Sequence, residues 1–394
     1  MGAYRVTRSF VALLIGFVAL VPWPAAAQGP IRIGASVSMT GAYAKPGLYF
    51  REGYLLCQKH VNEQGGLLGR KIEFVIYDDR SEPATGVRLY EKLITEDKVD
   101  VVMGPYSSPI TEAVANVSEK YRKIMVAPLA ATTSIWEKGR RYLFMVISPS
   151  EVYLEGLIDL AARNGLKTIA LINEDTLFAK SSVKGAVELA RKRGLEVVFQ
   201  EAYPKGYTDF SAILVKIRAA KPDVLGAATY FDDIVAITRQ MKELNLNVKM
   251  FGSTVGGDLP EFYQVLGKMA EFVYGASQWE TTLKYPGAKE FVEAYTKEFN
   301  RPPVYHSAAA YAGCRLFVDA GRRVGSLDSD KLREEFLRLR TRTAFGDYAV
   351  DERGFQTGHR MVTIQWQDGK QVVVWPDEVA NGKARFPMPR WDQR

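Results

Sequence analysis

The chain has little histidine and cysteine, and this scarcity limits its chemistry. It has three histidines, His60, His306 and His359, and two cysteines among 394 residues. The histidines are far apart and lack metal-ligand spacing, so we expect no metal and no cofactor. Cys57 and Cys314 cannot scaffold a chain this long. Whether they form a single bridge stays open, because pairing requires Cα atoms within about 7 Å of each other.

The sequence also lacks the motifs of common enzyme classes. No GxGxxG after a strand, no GxxxxGK[ST] loop, no GxSxG elbow, and no HExxH or CxxC pattern occurs. Asp78 and Asp79 follow a strand, where paired carboxylates perform acid–base work or, more commonly, shape a turn. His60 and His306 lie at helical positions and are expected at the surface. We therefore expect a protein that is not an enzyme, with a hydrolase as the weaker alternative.

Long apolar runs are missing except near the N-terminus. Arg5 and Arg8 precede an apolar run at residues 10–21, and small residues follow at 25–27. This order is typical of a cleaved signal peptide, and the run is too short for a membrane span. We expect residues 1–27 to be removed and the mature protein to be periplasmic.

Charge is not concentrated in any one region. The formal net charge is +7, and basic residues are interleaved with acidic ones. This pattern indicates a mildly cationic surface and no nucleic-acid partner.

Apolar strand patterns alternate with amphipathic helical patterns along most of the chain, which predicts an α/β fold with parallel sheets flanked by helices. Two halves with a similar order of elements favour two lobes sharing a cleft. Ligands of such sheets bind outside the carboxyl ends of the strands. The polar and hydroxyl clusters of this sequence fall at those ends.

Two of these clusters are the most informative. The strand at residues 99–103 ends before Tyr106, Ser107 and Ser108, where a helix must begin. The next strand ends before the small and hydroxyl residues at 130–134. Each cluster alone is explained by N-capping, because Ser and Thr commonly cap helices. Both clusters at one sheet edge favour a site for an anion.

Aromatic residues recur at other strand ends, among them Phe178, Tyr230 and Trp279. Most buried aromatic residues simply belong to a core. Several of them beside hydroxyl and acidic residues at one edge are typical of an apolar pocket with a few polar anchors.

The ordered segments IRIGASVSMTGAYAKPG, NEQGGLLGRKIEFVIYDDRSEP, VDVVMGPYSS, VAPLAAT, INEDTLFAK, KPDVL and VVVWPDEVA…FPMPRW resemble the periplasmic substrate-binding proteins of branched-chain and hydrophobic amino-acid ABC transporters. The resemblance covers essentially the whole predicted mature chain. It implies two Rossmann-like lobes joined by a multi-stranded hinge, closure on one small ligand, docking on a membrane permease, and no catalysis.

The resemblance also implies binding residues. The ligand-carboxylate site of the family matches Ser107, Ala130 and Thr132, and the aromatic residues of its second lobe match Phe178 and Tyr230. Tyr106 and Trp279 are further candidates.

One position departs from the family. Relatives specific for branched-chain amino acids bind the ligand's ammonium group with a glutamate, where Thr254 stands here. A hydroxyl cannot pair with a buried cation as a carboxylate does. Asp232, Asp233 or Glu280 could substitute. Otherwise the ligand is an aromatic or aliphatic acid, an amide or urea, and a sensor role is a further alternative.

The expected organisation is a monomer with two discontinuous lobes. Residues 28–147 and 278–358 form the N-terminal lobe, and residues 148–277 and 359–394 form the C-terminal lobe. The expected partners are a small carboxylate- or amide-bearing ligand and an ABC permease of the inner membrane.

Overall fold

The computed structural model describes residues 1–4 and 29–394. The signal peptide predicted from Arg5, Arg8 and the apolar run therefore lies almost entirely outside the described residues. Within those residues, no helix is both long and apolar enough to cross a membrane.

The first sheet is parallel, with the strand order β2-β1-β3-β4-β5. Its short inner strands β3 and β4 are wholly buried, as expected for parallel strands covered by helices on both faces. The strands are β1 (Ile31–Val37), β2 (Ile72–Asp78), β3 (Val101–Met103), β4 (Met125–Ala127) and β5 (Leu143–Met145). The connecting helices are α1 (Ala44–Glu63), α2 (Pro83–Thr95) and α3 (Ser108–Lys120).

The second sheet has the order β14-β13-β10-β9-β8-β6-β7 and is antiparallel only at its β14-β13-β10 end. The strands are β6 (Thr168–Glu174), β7 (Glu196–Tyr203), β8 (Val224–Ala228), β9 (Met250–Ser253), β10 (Tyr274–Ser277), and later β13 (Val362–Gln367) and β14 (Lys370–Trp375). The helices are α4 (Glu155–Arg163), α5 (Leu177–Lys192), α6 (Ser211–Ala220), α7 (Phe231–Glu243) and α8 (Pro260–Leu266). The predicted α/β class with two lobes is confirmed.

The chain between β10 and β13 returns to the first lobe. It forms α9 (Ala288–Phe299), α10 (Tyr305–Val324), α11 (Ser329–Arg338) and the hairpin of β11 (Thr341–Thr343) and β12 (Gly346–Tyr348). Helix α10 packs closely on α1. The helices approach so closely at Gly53 that a Cβ there would lie 2.3 Å from the Ser307 carbonyl oxygen. Cys57 and Cys314 join these helices by a disulfide, with their Cα atoms 6.3 Å apart. The pairing that the sequence left open therefore occurs.

Three segments connect the lobes, and they are hydrogen-bonded to one another at a single place. The Ser148 backbone N–H donates to the Gln278 side-chain oxygen at 3.0 Å. The Ser148 hydroxyl donates to the His359 carbonyl at 3.1 Å, and the His359 ring lies 3.0 Å from the Gln278 carbonyl oxygen. We call this group the crossing cluster.

The lobes also touch across the mouth of the cleft between them. Lys205 of the second lobe donates to the Ser81 carbonyl and to the Glu82 carboxylate, each at 3.0 Å. On another side, the Tyr49 hydroxyl donates to the Glu261 carboxylate at 3.0 Å. The structure thus shows the lobes in a closed arrangement.

Candidate functional site

The first wall of the cleft is formed where β3 leads into α3. Ser107 is the residue before α3 and has an extended backbone, but its hydroxyl does not cap the helix. Ser107 is 2% exposed, and its hydroxyl has no hydrogen-bond partner among the described residues. Simple N-capping therefore does not explain this serine. An unpartnered buried hydroxyl is costly unless something binds it.

The second hydroxyl cluster lies beside the first, as the sequence predicts for adjacent parallel strands. The Ser108 hydroxyl oxygen accepts the backbone N–H groups of Ala131 at 3.0 Å and Thr132 at 3.3 Å. Thr132 is 1% exposed, does not cap the short helix that follows, and has no hydroxyl partner among the described residues. The hydroxyls of two loops are thus held close to the positive N-terminal end of α3.

The second wall is aromatic. Phe178 lies in the first turn of α5, which begins directly after the extended residue Thr176. Tyr230 immediately precedes α7. The rings of Phe178 and Tyr230 lie 5.8 Å apart, and the ring of Tyr153 meets that of Phe178 edge to face at 5.0 Å.

The walls meet around a small cavity of about 10 Å³, roughly the space that one water molecule needs. Half of its lining is aromatic, and the aromatic members are Tyr106, Tyr153, Phe178, Tyr230 and Tyr305. The remainder is small, aliphatic or hydroxyl-bearing: Ser107, Ser108, Leu129, Ala131 and Val255. No side chain in this described lining carries a charge. This volume is far below the range of about 300–1,000 Å³ that is usual for ligand pockets, so the lobes must separate to admit a ligand.

Several predicted site residues, Thr132 among them, are not in this lining. Thr254 is fully buried, and its hydroxyl donates to the Thr229 carbonyl at 3.1 Å and accepts the Thr229 N–H at 3.0 Å. Asp232 is exposed on the first turn of α7. Trp279 donates its indole N–H to the Ala344 carbonyl at 2.9 Å and packs against α9. Ala130 is buried between the lining residues Leu129 and Ala131.

The sequence reasoning also missed lining residues. Tyr153 comes from a segment that connects the lobes, and Tyr305 begins α10. His306 is fully buried, which corrects its expected surface position. Its ring stacks on Tyr305 at 3.8 Å and lies 5.5 Å from that of Tyr106, and burial lowers its pKa to about 3. The one sequence signal that could have pointed to these residues is the Pro302-Pro303 pair, because proline is common at the beginning of a helix and α10 follows directly.

Buried carboxyl groups surround the aromatic cluster without lining the cavity. Glu174 is 2% exposed at the end of β6, and burial, reinforced by Asp233, raises its pKa to about 7. Burial also raises the pKa of Asp233 to about 6 and that of Asp258 to about 7. Asp233 accepts the Tyr203 hydroxyl at 3.0 Å, and Asp258 accepts the Gly256 N–H at 3.0 Å.

The paired carboxylates Asp78 and Asp79 shape a turn. Asp78 accepts backbone N–H groups of Met39 and Arg80. Asp79 accepts the hydroxyls of Ser36 and Ser38. Within residues 1–4 and 29–394, no group of three or more His, Cys, Asp or Glu side chains is placed to hold a metal ion.

This two-lobed fold and its cleft agree with the comparison to known families. Residues 30–371 match the periplasmic binding protein family. The chain belongs to this family. The resemblance inferred from the motifs is therefore confirmed, and the fold and family are those of solute-binding proteins.

Curated relatives match this periplasmic binding protein along nearly their whole length. The chain is 24% identical over 369 residues to the leucine-, isoleucine-, valine-, threonine-, and alanine-binding protein of Pseudomonas aeruginosa, and the match covers 93% of this chain and 96% of the relative. It is also 24% identical over 396 residues to Leu/Ile/Val-binding protein homolog 7 of Brucella suis, covering 95% and 99%.

Solved structures share the fold of this periplasmic binding protein. A leucine binding protein from Thermotoga maritima superposes with a TM-score of 0.81 at 24% identity, covering 87% of this chain and 97% of that one. A solute binding protein from R. palustris, in complex with benzoate, superposes with a TM-score of 0.79 at 20% identity, covering 90% and 100%.

Proposed function

We propose that this protein is the extracytoplasmic solute-binding component of an ABC importer and that it binds one small carboxylate-bearing ligand between its lobes. The observation that carries the proposal is the pair of buried, unpartnered hydroxyls on Ser107 and Thr132, described above, beside the N-terminus of α3. Hydroxyl groups and free N–H groups at a helix start are ready-made donors for an anion. Leucine and benzoate, named for two structural relatives, both bear a carboxylate.

The proposed binding residues are members of the cavity lining, together with Thr132, which follows the lining residue Ala131. Ser107 and Thr132 bind the carboxylate, with Ser108 holding their loops in place. Tyr106, Phe178 and Tyr230 contact the rest of the ligand. A ligand that touches both walls stabilises closure by its greater affinity for the closed state.

We also propose the wider context. The lobes divide at residues 147/148, 277/278 and 358/359, a division supported by the crossing cluster of Ser148, Gln278 and His359. The signal peptide directs the protein to the periplasm, where it acts as a monomer and delivers its ligand to an inner-membrane permease without chemical change.

The test is a Ser107→Ala variant. Hydrogen bonds to charged groups contribute about 1.5–3 kcal/mol, so its dissociation constant should rise about 10- to 100-fold by calorimetry. The matched control is Ser118→Ala on the same helix, where the hydroxyl donates to the Ala115 carbonyl at 3.1 Å. The control should keep the original affinity. Equal affinities for Ser107→Ala and the unchanged protein would remove Ser107 from the site, and turnover of the ligand would favour the hydrolase.

A further inference from the structure

We propose that the ligand is a small aromatic monocarboxylic acid without an amino group. The inference rests on the proposed function and narrows it to a substrate class. Its basis is a cavity that offers donors for one anionic group at the Ser107 end, aromatic rings elsewhere, and no carboxylate in its lining.

The charge of the lining decides whether an amino group is accepted. The N-terminus of α3 and the neighbouring hydroxyls suit one negative charge. A zwitterionic amino acid would also bury an ammonium group, and a buried cation requires a carboxylate partner. Among the described residues that line the cavity, none is acidic.

The nearby acidic and hydroxyl groups do not fill that role. The Thr254 hydroxyl is already bonded in both directions to the backbone of Thr229. Asp258 is not in the lining and accepts the Gly256 N–H, and Asp233 accepts the Tyr203 hydroxyl. Glu174 and Glu280 are also outside the lining, and burial raises their pKa values to about 7 and about 8, which disfavours the charged carboxylate.

The aromatic rings select the shape of the ligand's other end. Five of the ten lining residues are aromatic, and the pairs Tyr153–Phe178 and Phe178–Tyr230 are edge-to-face and tilted, respectively. Edges and faces of this kind favour another ring over a branched aliphatic chain of equal size.

The test measures matched pairs by calorimetry on the mature protein purified by unfolding and refolding to remove bound ligand. The panel contains benzoate, and two pairs that differ only by the amino group: 3-phenylpropanoate and phenylalanine, and 4-methylpentanoate and leucine. Glycine betaine is included as a quaternary ammonium compound. We expect an aromatic acid to bind tightest and each amino acid to bind at least 100-fold more weakly than its partner without the amino group. Leucine, phenylalanine or betaine binding as tightly as the aromatic acids would overturn the inference, and so would a panel in which no aromatic acid binds.

A variant tests the aromatic preference separately. Phe178→Leu should weaken binding of the aromatic acid about 10-fold more than it weakens binding of 4-methylpentanoate. Phe199→Leu, on the sheet-edge strand β7, is the control and should change neither. Equal losses for both acids in Phe178→Leu would refute ring selection. If an amino acid binds and Ser107→Ala weakens it, the substrate class fails while the proposed function stands. If Ser107→Ala changes no affinity in the panel, the proposed site itself fails.

Discussion

Replacing the buried carboxyl of Glu174 with an amide should stabilise the protein in a pH-dependent way. Glu174 is 2% exposed, one of its carboxyl oxygens has no partner among the described residues, and burial raises its pKa to about 7. An unfolded glutamate loses its proton near pH 4.3. Between these values the native protein keeps a proton that the unfolded chain releases, so its stability falls as pH rises.

The magnitude follows from the size of that interval. One pKa unit corresponds to about 1.36 kcal/mol, so the shift from about 4.3 to about 7 costs the native state about 3–4 kcal/mol at pH 8. Glu174→Gln mimics the protonated group at every pH and removes this cost. We expect the variant to match the unchanged protein within about 1 kcal/mol at pH 5 and to exceed it by about 3–4 kcal/mol at pH 8.

Urea unfolding at both pH values, followed by tryptophan fluorescence, measures the difference in the free energy of unfolding. The matched control is Glu188→Gln, an exposed glutamate on α5, which should change stability by less than about 0.5 kcal/mol at either pH. Asp233 is coupled to Glu174, so the measured gain includes relief of the repulsion between these two carboxyl groups. The reasoning is refuted if the gain from Glu174→Gln is no greater at pH 8 than at pH 5.

Two further predictions concern contacts between distant parts of the chain. Lys205→Met removes the hydrogen bonds from Lys205 to Ser81 and Glu82. Allowing for solvent screening, these bonds stabilise the closed state by about 1 kcal/mol, so the ligand off-rate should rise about fivefold in stopped-flow measurements. An unchanged off-rate would show that these bonds do not hold the lobes closed. Reducing the Cys57–Cys314 bridge should lower the free energy of unfolding by about 2–4 kcal/mol in calorimetry, and an unchanged melting temperature in reductant would contradict this.

The cavity could be located from the sequence because parallel strands end at a common edge. Ser107, Phe178 and Tyr230 each follow such a strand end, and the structure brings all three to the lining of one cavity. Their roles in binding stay a prediction. The fold class was predictable for a related reason, since buried parallel strands and amphipathic helices have different hydrophobic periods.

Other members of the cleft could not be predicted because the decisive contacts are distant in sequence. The hydroxyl of Thr254 is consumed by Thr229, 25 residues away, on the neighbouring strand end. Tyr305 reaches the cavity from α10, which follows another helix and not a strand. A search for residues at strand ends therefore does not find it. Asp232 and Asp233 are neighbours in sequence, yet helix rotation exposes one and buries the other.

The crossing cluster of Ser148, Gln278 and His359 has a mechanical consequence. Bonds that join three chain segments at one point act as a pivot, because sliding one lobe past the other would stretch all of them, whereas rotation needs small backbone changes. We expect the lobes to separate along essentially one coordinate. In the proposed function, the gap between their outer rims would then report the occupancy of the cleft, so that a permease could read the bound state from that single distance without contacting the ligand.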